Sequence, residues 1–282
     1  HKQKELAYDA IRYLSCDEVQ AMLGTDHFHA GEYWSEGIHL HPLNYALGLA
    51  DAAVRAGVTI YENSRVTAYK TGADTRVNTA KGEVKARYIL LACNGYIDKL
   101  EPRIASKIMP INNFMLATEP LSDPLCRLIN RDDVAVADSK FVVNYFKLSA
   151  DNRLLWGGGE NYTRRFPKDI RRFVQRHMLE VYPELAGVKV DYGWGGTLAI
   201  TLNRMPYFAR IEDNLFVAQG YSGHGVALAT LGGKLMAEAL SGSAERFDLF
   251  AKVPTPDFPG GTLLRWPSLV AGMLYYSLRD RF

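Results

Sequence analysis

The chain has 282 residues, 48% of them hydrophobic, enough to bury one large core or two linked ones. A net charge of +2 excludes the strong bias of a nucleic-acid or polyanion binder. Three cysteines far apart (Cys16, Cys93 and Cys126) argue against a disulfide scaffold or a thiolate metal site.

That cysteine usage fits a reducing cytoplasm, which is the expected location. No signal peptide is visible, the opening His1-Lys-Gln-Lys-Glu5 is polar, and no apolar run reaches the ~20 residues that span a bilayer. The sequence lacks an initiator Met and starts within a helical pattern, so it reads as a piece of a longer polypeptide.

In chain order, residues 1–35 predict one or two short helices and a loop. Ser15 with Glu18 forms a capping box ahead of a helix that ends at Gly24. Pro42 opens a second helix, whose Leu43, Ala46, Leu47, Ala50, Ala53 and Val54 recur at helical spacing until Gly57. Val58 to Tyr61, Val66 to Lys70 and Arg76 to Thr79 read as strands, with Lys81-Gly82 as a hairpin turn. Tyr88-Ile-Leu-Leu-Ala-Cys-Asn-Gly95 is a continuous apolar run that suits a parallel strand buried on both faces, with a ligand at its carboxyl end.

From about residue 106 to 192 the texture becomes antiparallel. Ile111 to Thr118, Phe141 to Leu148 and Arg153 to Trp156 read as strands, with Ser149-Ala-Asp-Asn152 as a turn. A basic helix over Asp169 to Tyr182 packs against them. The α/β pattern resumes after Trp194-Gly-Gly196 and carries the most informative stretch, Asn214-Leu-Phe-Val-Ala-Gln-Gly-Tyr-Ser-Gly-His-Gly-Val226. A buried strand there runs through Gly220, Gly223 and Gly225 into a helix of small and apolar residues. Such glycines admit a ligand close to the backbone, and the helix start offers free N–H groups and a partial positive charge. The turn suits a group that becomes negative, such as the O2/N1 edge of a reduced flavin. A plain strand-turn-helix is the other reading.

These segments together resemble the D-amino-acid oxidase-like family of FAD-dependent oxidoreductases. The resemblance rests on Gly31 and Gly37-Ile-His-Leu-His-Pro-Leu-Asn44, Ala150-Asp-Asn-Arg-Leu-Leu-Trp-Gly-Gly-Gly159, Gln219 to Gly225, Ala244-Glu-Arg-Phe-Asp248 and the last 25 residues. It implies an α/β plus α+β fold. A partial FAD-binding doubly wound sheet would be interleaved with an antiparallel-sheet substrate domain. The expected division is 1–36 and 106–192 for the substrate domain, 37–105 and 193–245 for the FAD-binding domain, and 246–282 as a tail. Members open with a strand-GxGxxG-helix unit that grips the FAD pyrophosphate. This sequence contains no such unit, and Gly157-Gly-Gly159 lacks the spacing. A second chain is one source of that unit, and an inactive fragment is a further reading of this polypeptide.

The resemblance also implies roles. FAD is the cofactor and a small-molecule amine the substrate, oxidised to an imine. Val66, Asn94, Gly95, Trp194, Gly195, Gly220, Tyr221, Ser222, Gly223, His224, Gly225 and Val226 are the expected cofactor-contacting positions. Val66 matches the position whose backbone faces the adenine. His224, Tyr145 and Trp156 are candidate catalytic or pocket residues. A solvated helix cap is the alternative for His224, and core packing fits Tyr145, Trp156 and Trp194 equally well. His27-Phe-His29 and His39-Leu-His41 place imidazoles in pairs on a strand face, yet no cysteine or carboxylate cluster joins them, so no metal is expected. Arginines that hold a substrate α-carboxylate in the family are replaced by Gly196-Thr197 and Gly223. The expected substrate therefore has no carboxylate on the reacting carbon, as in a gamma-glutamylated diamine. Arg204 keeps open a D-amino-acid dehydrogenase or a sarcosine- or glycine-type oxidase. The tail Leu263 to Leu278 is expected to dock on the protein body.

Overall fold

A computed structural model describes residues 8–140, 142–160 and 165–279. The chain divides into two units, one drawn from residues 1–46 and 113–196, the other from 47–112 and 197–282.

In the first unit, β1 (Ile11–Leu14) pairs antiparallel with β2 (Gly31–Trp34), and α1 (Cys16–Leu23) lies between them in sequence. The capping box is present: the Glu18 carboxylate accepts the Ser15 N–H at 2.9 Å. Gly24 ends α1 at φ 58, where a Cβ would stand 1.9 Å from the Leu128 carbonyl oxygen, so only glycine fits. The two strands correct the expectation of helices and loop alone. Only Ile11 and Leu14 of β1 are buried, which leaves no alternation to read.

A five-stranded sheet dominates this unit, in the order β11 (Val190–Ile200), β7 (Met109–Thr118), β10 (Leu154–Glu160), β9 (Tyr145–Leu148), β8 (Val136–Ala137). From β7 to β8 every pairing is antiparallel. Trp156 opposes Phe146 on one side and Leu116 on the other, so all three share a face. That face is closed by α5 (Ile170–Val181) through Val174 and Met178, and by Tyr182. The Phe146 and Trp156 rings stack at 4.6 Å. Asp169 caps α5 by accepting the Arg172 N–H, in line with the predicted helix. The expected strand over Phe141 to Leu148 is ordered only from Tyr145. Asp138 draws the N–H groups of Lys140 and Asn144 into a turn ahead of it, and Phe141 lies outside the described residues.

The second unit holds β6 (Ile89–Leu91) parallel to β13 (Leu215–Gln219), with β12 (Tyr207–Glu212) antiparallel on the far side of β13. Strands β3 (Val66–Lys70), β4 (Arg76–Thr79) and β5 (Glu83–Lys85) form a meander. Its Lys81-Gly82 turn is closed by the Thr79 N–H donating to the Gly82 carbonyl. Helices α6 (Gly225–Leu240) and α7 (Glu245–Ala251) cover Phe208 and Phe216 with Met236 and Phe247.

Three expectations need correction. Val58 to Tyr61 is not a strand: among the described residues nothing pairs with it, and an unpaired strand has no ladder to hold it. The apolar run at β6 is buried on one face only, with Ile89 and Leu91 covered and Leu90 exposed. Helix α2 (Pro42–Arg55) forms as predicted, but its apolar stripe stays uncovered among the described residues.

Helix α8 (Gly261–Arg279) docks as expected. Trp266 joins the cluster of Met109, Ile111, Ile200 and Phe258, and Arg265 donates to the Ile108 carbonyl at 2.6 Å. Among the described residues no helix is long and apolar enough to cross a membrane.

One buried charge ties the second unit together. Glu101, only 4% exposed, caps α3 (Pro102–Ala105) and receives Arg103 in a bidentate grip at 2.9 and 2.8 Å, plus the Tyr69 hydroxyl. Arg103 also reaches Glu212 at 2.8 Å. The Arg103 bonds hold Glu101 at about 2, below its ordinary 4.5. Because the folded value lies below the unfolded one, this carboxylate stabilises the fold above pH 4.5 and loses that contribution as pH falls toward 2. Glu101→Gln is expected to cost about 2 kcal/mol at pH 7 by urea unfolding. The gap to wild type should narrow at pH 3; a gap constant with pH would show that the charge contributes nothing.

Candidate active site

Strands β6 and β13 run side by side, β13 extending two residues past the last shared pair, Leu91–Val217, and two amides tie the segments that follow. The Asn94 N–H donates to Gln219 Oε1 at 3.0 Å, and the Gly220 N–H donates to Asn94 Oδ1 at 3.2 Å. Asn94 adopts φ 47, a left-handed conformation that asparagine tolerates. Gly95 follows because a Cβ there would meet the Thr197 carbonyl oxygen at 2.5 Å. Gln219 is fully buried, and among the described residues its Nε2 has no hydrogen-bond partner. A buried amide donor left unpaired calls for an acceptor.

Past Gln219 the turn is held from below. The Ser222 N–H donates to the Ala199 carbonyl at 3.0 Å, and Ser222 Oγ accepts the Thr201 N–H at 3.2 Å. Gly220 (φ 73), Ser222 (φ 50) and Gly223 (φ 94) all take left-handed backbone. A Cβ on Gly220 would press within 2.8 Å of the Thr201 methyl, whereas one on Gly223 would meet nothing within 4 Å. Gly223 thus borders open space at the mouth of α6. Of the N–H groups expected to face a ligand, those of Ser222 and His224 are spent on Ala199 and Tyr221. Gly225 and Val226 open α6, where first-turn N–H groups lack partners within the helix, and Val226 is exposed. His224 is exposed at the N-cap and makes no side-chain capping bond. Tyr221 points inward, its hydroxyl donating to the Ala218 carbonyl, and burial pushes its pKa up to about 12.

Val66, another expected position, lines a groove of about 770 Å³ in the same unit with Arg65, Cys93, Tyr96 and residues 97–100. At Gly196-Thr197, expected from the sequence to replace an arginine, the Thr197 N–H donates to the Tyr96 hydroxyl at 3.0 Å and its hydroxyl to Asn112 at 2.9 Å. A small neutral residue occupies the position, with its own polar groups bonded.

In the first unit the candidates part company. Trp156 is fully buried in the core, so it lines no pocket, and its candidacy as a catalytic group fails on access. Tyr145, next in the sheet but on the opposite face, lies over Gly157, where a Cβ would strike its ring at 2.2 Å. Its hydroxyl donates to Asn113 Oδ1. Gly193 and Gly195 face Arg171 and Phe114, so by strand alternation Tyr192 and Trp194 turn to the other side, where both are exposed. Trp194 borders a groove of about 640 Å³ at the start of α5. The His27–His29 and His39–His41 pairs lie in loops rather than on strands. Asn113 and Lys147 were not singled out from the sequence, and Gln219 was read only as the first residue of the Gln219–Gly225 motif, with no role of its own. The alternation Tyr145-Phe-Lys147 was the available signal for Lys147, since it puts the cation on the face away from Phe146.

Residues 1–239 match the family described as FAD dependent oxidoreductase (DAO). Gamma-glutamylputrescine oxidoreductase of Escherichia coli is 43% identical over 96% of the chain and 64% of that protein. The probable oxidoreductase OrdL of Rhizobium meliloti is 40% identical over 98% and 64%. Among solved structures, glycine oxidase from Geobacillus kaustophilus superposes with a TM-score of 0.72 at 19% identity, covering 85% of this chain and 65% of that one. The chain belongs to the DAO family of FAD-dependent oxidoreductases. It spans a little under two thirds of the length of the curated relatives it matches.

The residues present fit part of that cofactor. Open space at Gly223 and the α6 N–H groups of Gly225 and Val226 form a donor edge suited to the acceptor-rich pyrimidine side of a flavin.

The two turn glycines should respond differently to substitution. Gly220→Ala combines left-handed strain with a collision and is expected to cost about 2–3 kcal/mol. Gly223→Ala carries only the strain, about 1 kcal/mol. Urea unfolding of both variants checks this, and the reverse order would refute the geometry.

Proposed function

We propose that the protein is an FAD-dependent oxidoreductase that oxidises the free amine end of a gamma-glutamylated diamine, with gamma-glutamylputrescine as the leading substrate. The unit of residues 1–46 and 113–196 is read as the substrate domain. The unit of 47–112 and 197–282 is read as the flavin-facing part. FAD, when bound, supplies the two-electron acceptor for the amine. Val66, Asn94, Gly95 and residues 220–226 are the positions assigned to hold it, and Gly225 and Val226 offer N–H groups where negative charge develops.

The observation that carries the substrate reading is Thr197, neutral and bonded to Asn112 and Tyr96 at a position where amino-acid oxidases of the family use arginine. A carboxylate on the reacting carbon would find no bidentate partner there and would be desolvated without compensation. An amine whose carboxylate sits far from the reacting carbon escapes that cost. The 43% identity to an enzyme named for gamma-glutamylputrescine supports the same reading.

Rates of anaerobic flavin reduction by the full-length protein test it without assuming an electron acceptor. Gamma-glutamylputrescine should exceed D-alanine, glycine and sarcosine on the order of a hundredfold or more, with putrescine intermediate. An amino acid that reduces the flavin as fast as the conjugate would favour a glycine- or sarcosine-type oxidase instead.

In the same assay Gly223→Arg should slow reduction by gamma-glutamylputrescine at least tenfold, because a long cation would fill the open space at the turn. An unchanged rate would remove the turn from the active site.

A further inference from the structure

The sheet of the first unit has two faces of opposite character. On the core side Leu116, Phe146 and Trp156 are sealed. The other side carries Asn113, Met115, Tyr145, Lys147 and Leu155, all half-buried. Such a face, neither closed by core nor fully wet, can receive a ligand that lies across strands.

Lys147 is the cation of that face. Its Nζ donates to the Leu40 carbonyl at 2.5 Å and approaches His39 Nδ1 at 3.5 Å. The other ring nitrogen, His39 Nε2, lies 3.1 Å from the Asp133 carbonyl, which can only accept, so Nε2 carries the proton and Nδ1 is left to accept from Lys147. Two of the three ammonium donors are thereby committed, and the third remains. Among the described residues no carboxylate forms an ion pair with Lys147. A half-buried cation fixed by a carbonyl and an imidazole, with one donor to spare, is a prepared seat for an anion.

We infer that Lys147, positioned by Leu40 and His39, binds the carboxylate of the gamma-glutamyl group. This inference rests on the proposed amine-oxidase reading and assigns the remote handle of that substrate. The distance supports it. Four strands from β11 to β9 span three inter-strand steps, roughly 14 Å. That is comparable to an extended gamma-glutamylated diamine reaching from the β11 edge, where Trp194 stands exposed, to the Lys147 strand. Leu155 directly opposes Lys147 in the register and offers an apolar rest for the methylene chain. Burial lowers the pKa of Lys147, the Asp133 charge opposing this in part, so an arriving carboxylate restores stabilisation that the ammonium lacks in the free protein. One residue would thus separate the conjugate from free putrescine, which carries no carboxylate.

Equilibrium binding of gamma-glutamylbutylamine to the full-length protein tests this, because the probe keeps the carboxylate and lacks the oxidisable amine. Calorimetry should show Lys147→Met binding it roughly 10- to 100-fold more weakly than wild type. Converting the probe's α-carboxylate to an amide should weaken wild-type binding by the same factor and leave Lys147→Met unaffected. A mere role for Lys147 in bracing residues 39–40 predicts equal losses for acid and amide, and that pattern would overturn the inference. So would a wild type indifferent to amidation. If carboxylate binding depends on Lys147 while no amine reduces the flavin, the anion seat stands and the amine-oxidase reading falls.

Discussion

The candidate active site depends on two amide hydrogen bonds. Past the last β6–β13 pair the backbone N–H groups of Asn94 and Gly220 have no ladder to join, and the side chains of Gln219 and Asn94 satisfy them crosswise. That lock fixes where the chain leaves β13, and the left-handed Gly220 turns it at once into the 220–226 segment. Thr201 and Ser222 then pin the segment from beneath. The N–H groups that remain unspent, at the start of α6, owe their direction to this chain of constraints. Losing either amide would leave a buried N–H unpaired, a penalty of about 1–3 kcal/mol, and would free the turn.

The first unit solves a different problem. Its sheet is sealed on one face and half-buried on the other. Stacked Phe146 and Trp156, crossed edge-on by Tyr182, stiffen the sealed face. Glycines shape both sides: Gly157 makes room for the Tyr145 ring on the half-buried face, and Gly195 lets Phe114 close on β11 on the core face. The described polar groups on the half-buried face include the neutral Tyr145–Asn113 pair and the cationic Lys147–His39 pair. Neither would repel a carboxylate.

Much of this was legible in the sequence because local rules and the fold agree. The capping box at Ser15, the helix entry at Pro42, the Lys81-Gly82 turn and the buried run into Gln219-Gly220 each formed as read. What escaped was set by neighbours rather than by local pattern. Val58 to Tyr61 has strand residues but no partner, and Leu90 belongs to an apolar run yet faces outward. Trp156 and Tyr145 could not be ranked from sequence, because which face of a sheet meets the core depends on the helices laid against it. The lock between Asn94 and Gln219 joins residues 125 positions apart, beyond any local pattern.

In the proposed function the 220–226 turn faces the edge of the flavin that becomes negative on reduction. Gly223 offers a direct probe, since a side chain there enters open space and aspartate tolerates left-handed backbone. The midpoint potential of the bound flavin in the full-length protein, wild type against Gly223→Asp, is the decisive measurement. A carboxylate several ångströms from the reduced ring should disfavour it by about 1.5–3 kcal/mol, lowering the two-electron potential by roughly 30–60 mV. An unchanged potential in a variant that still binds flavin would place the turn elsewhere and contradict the account.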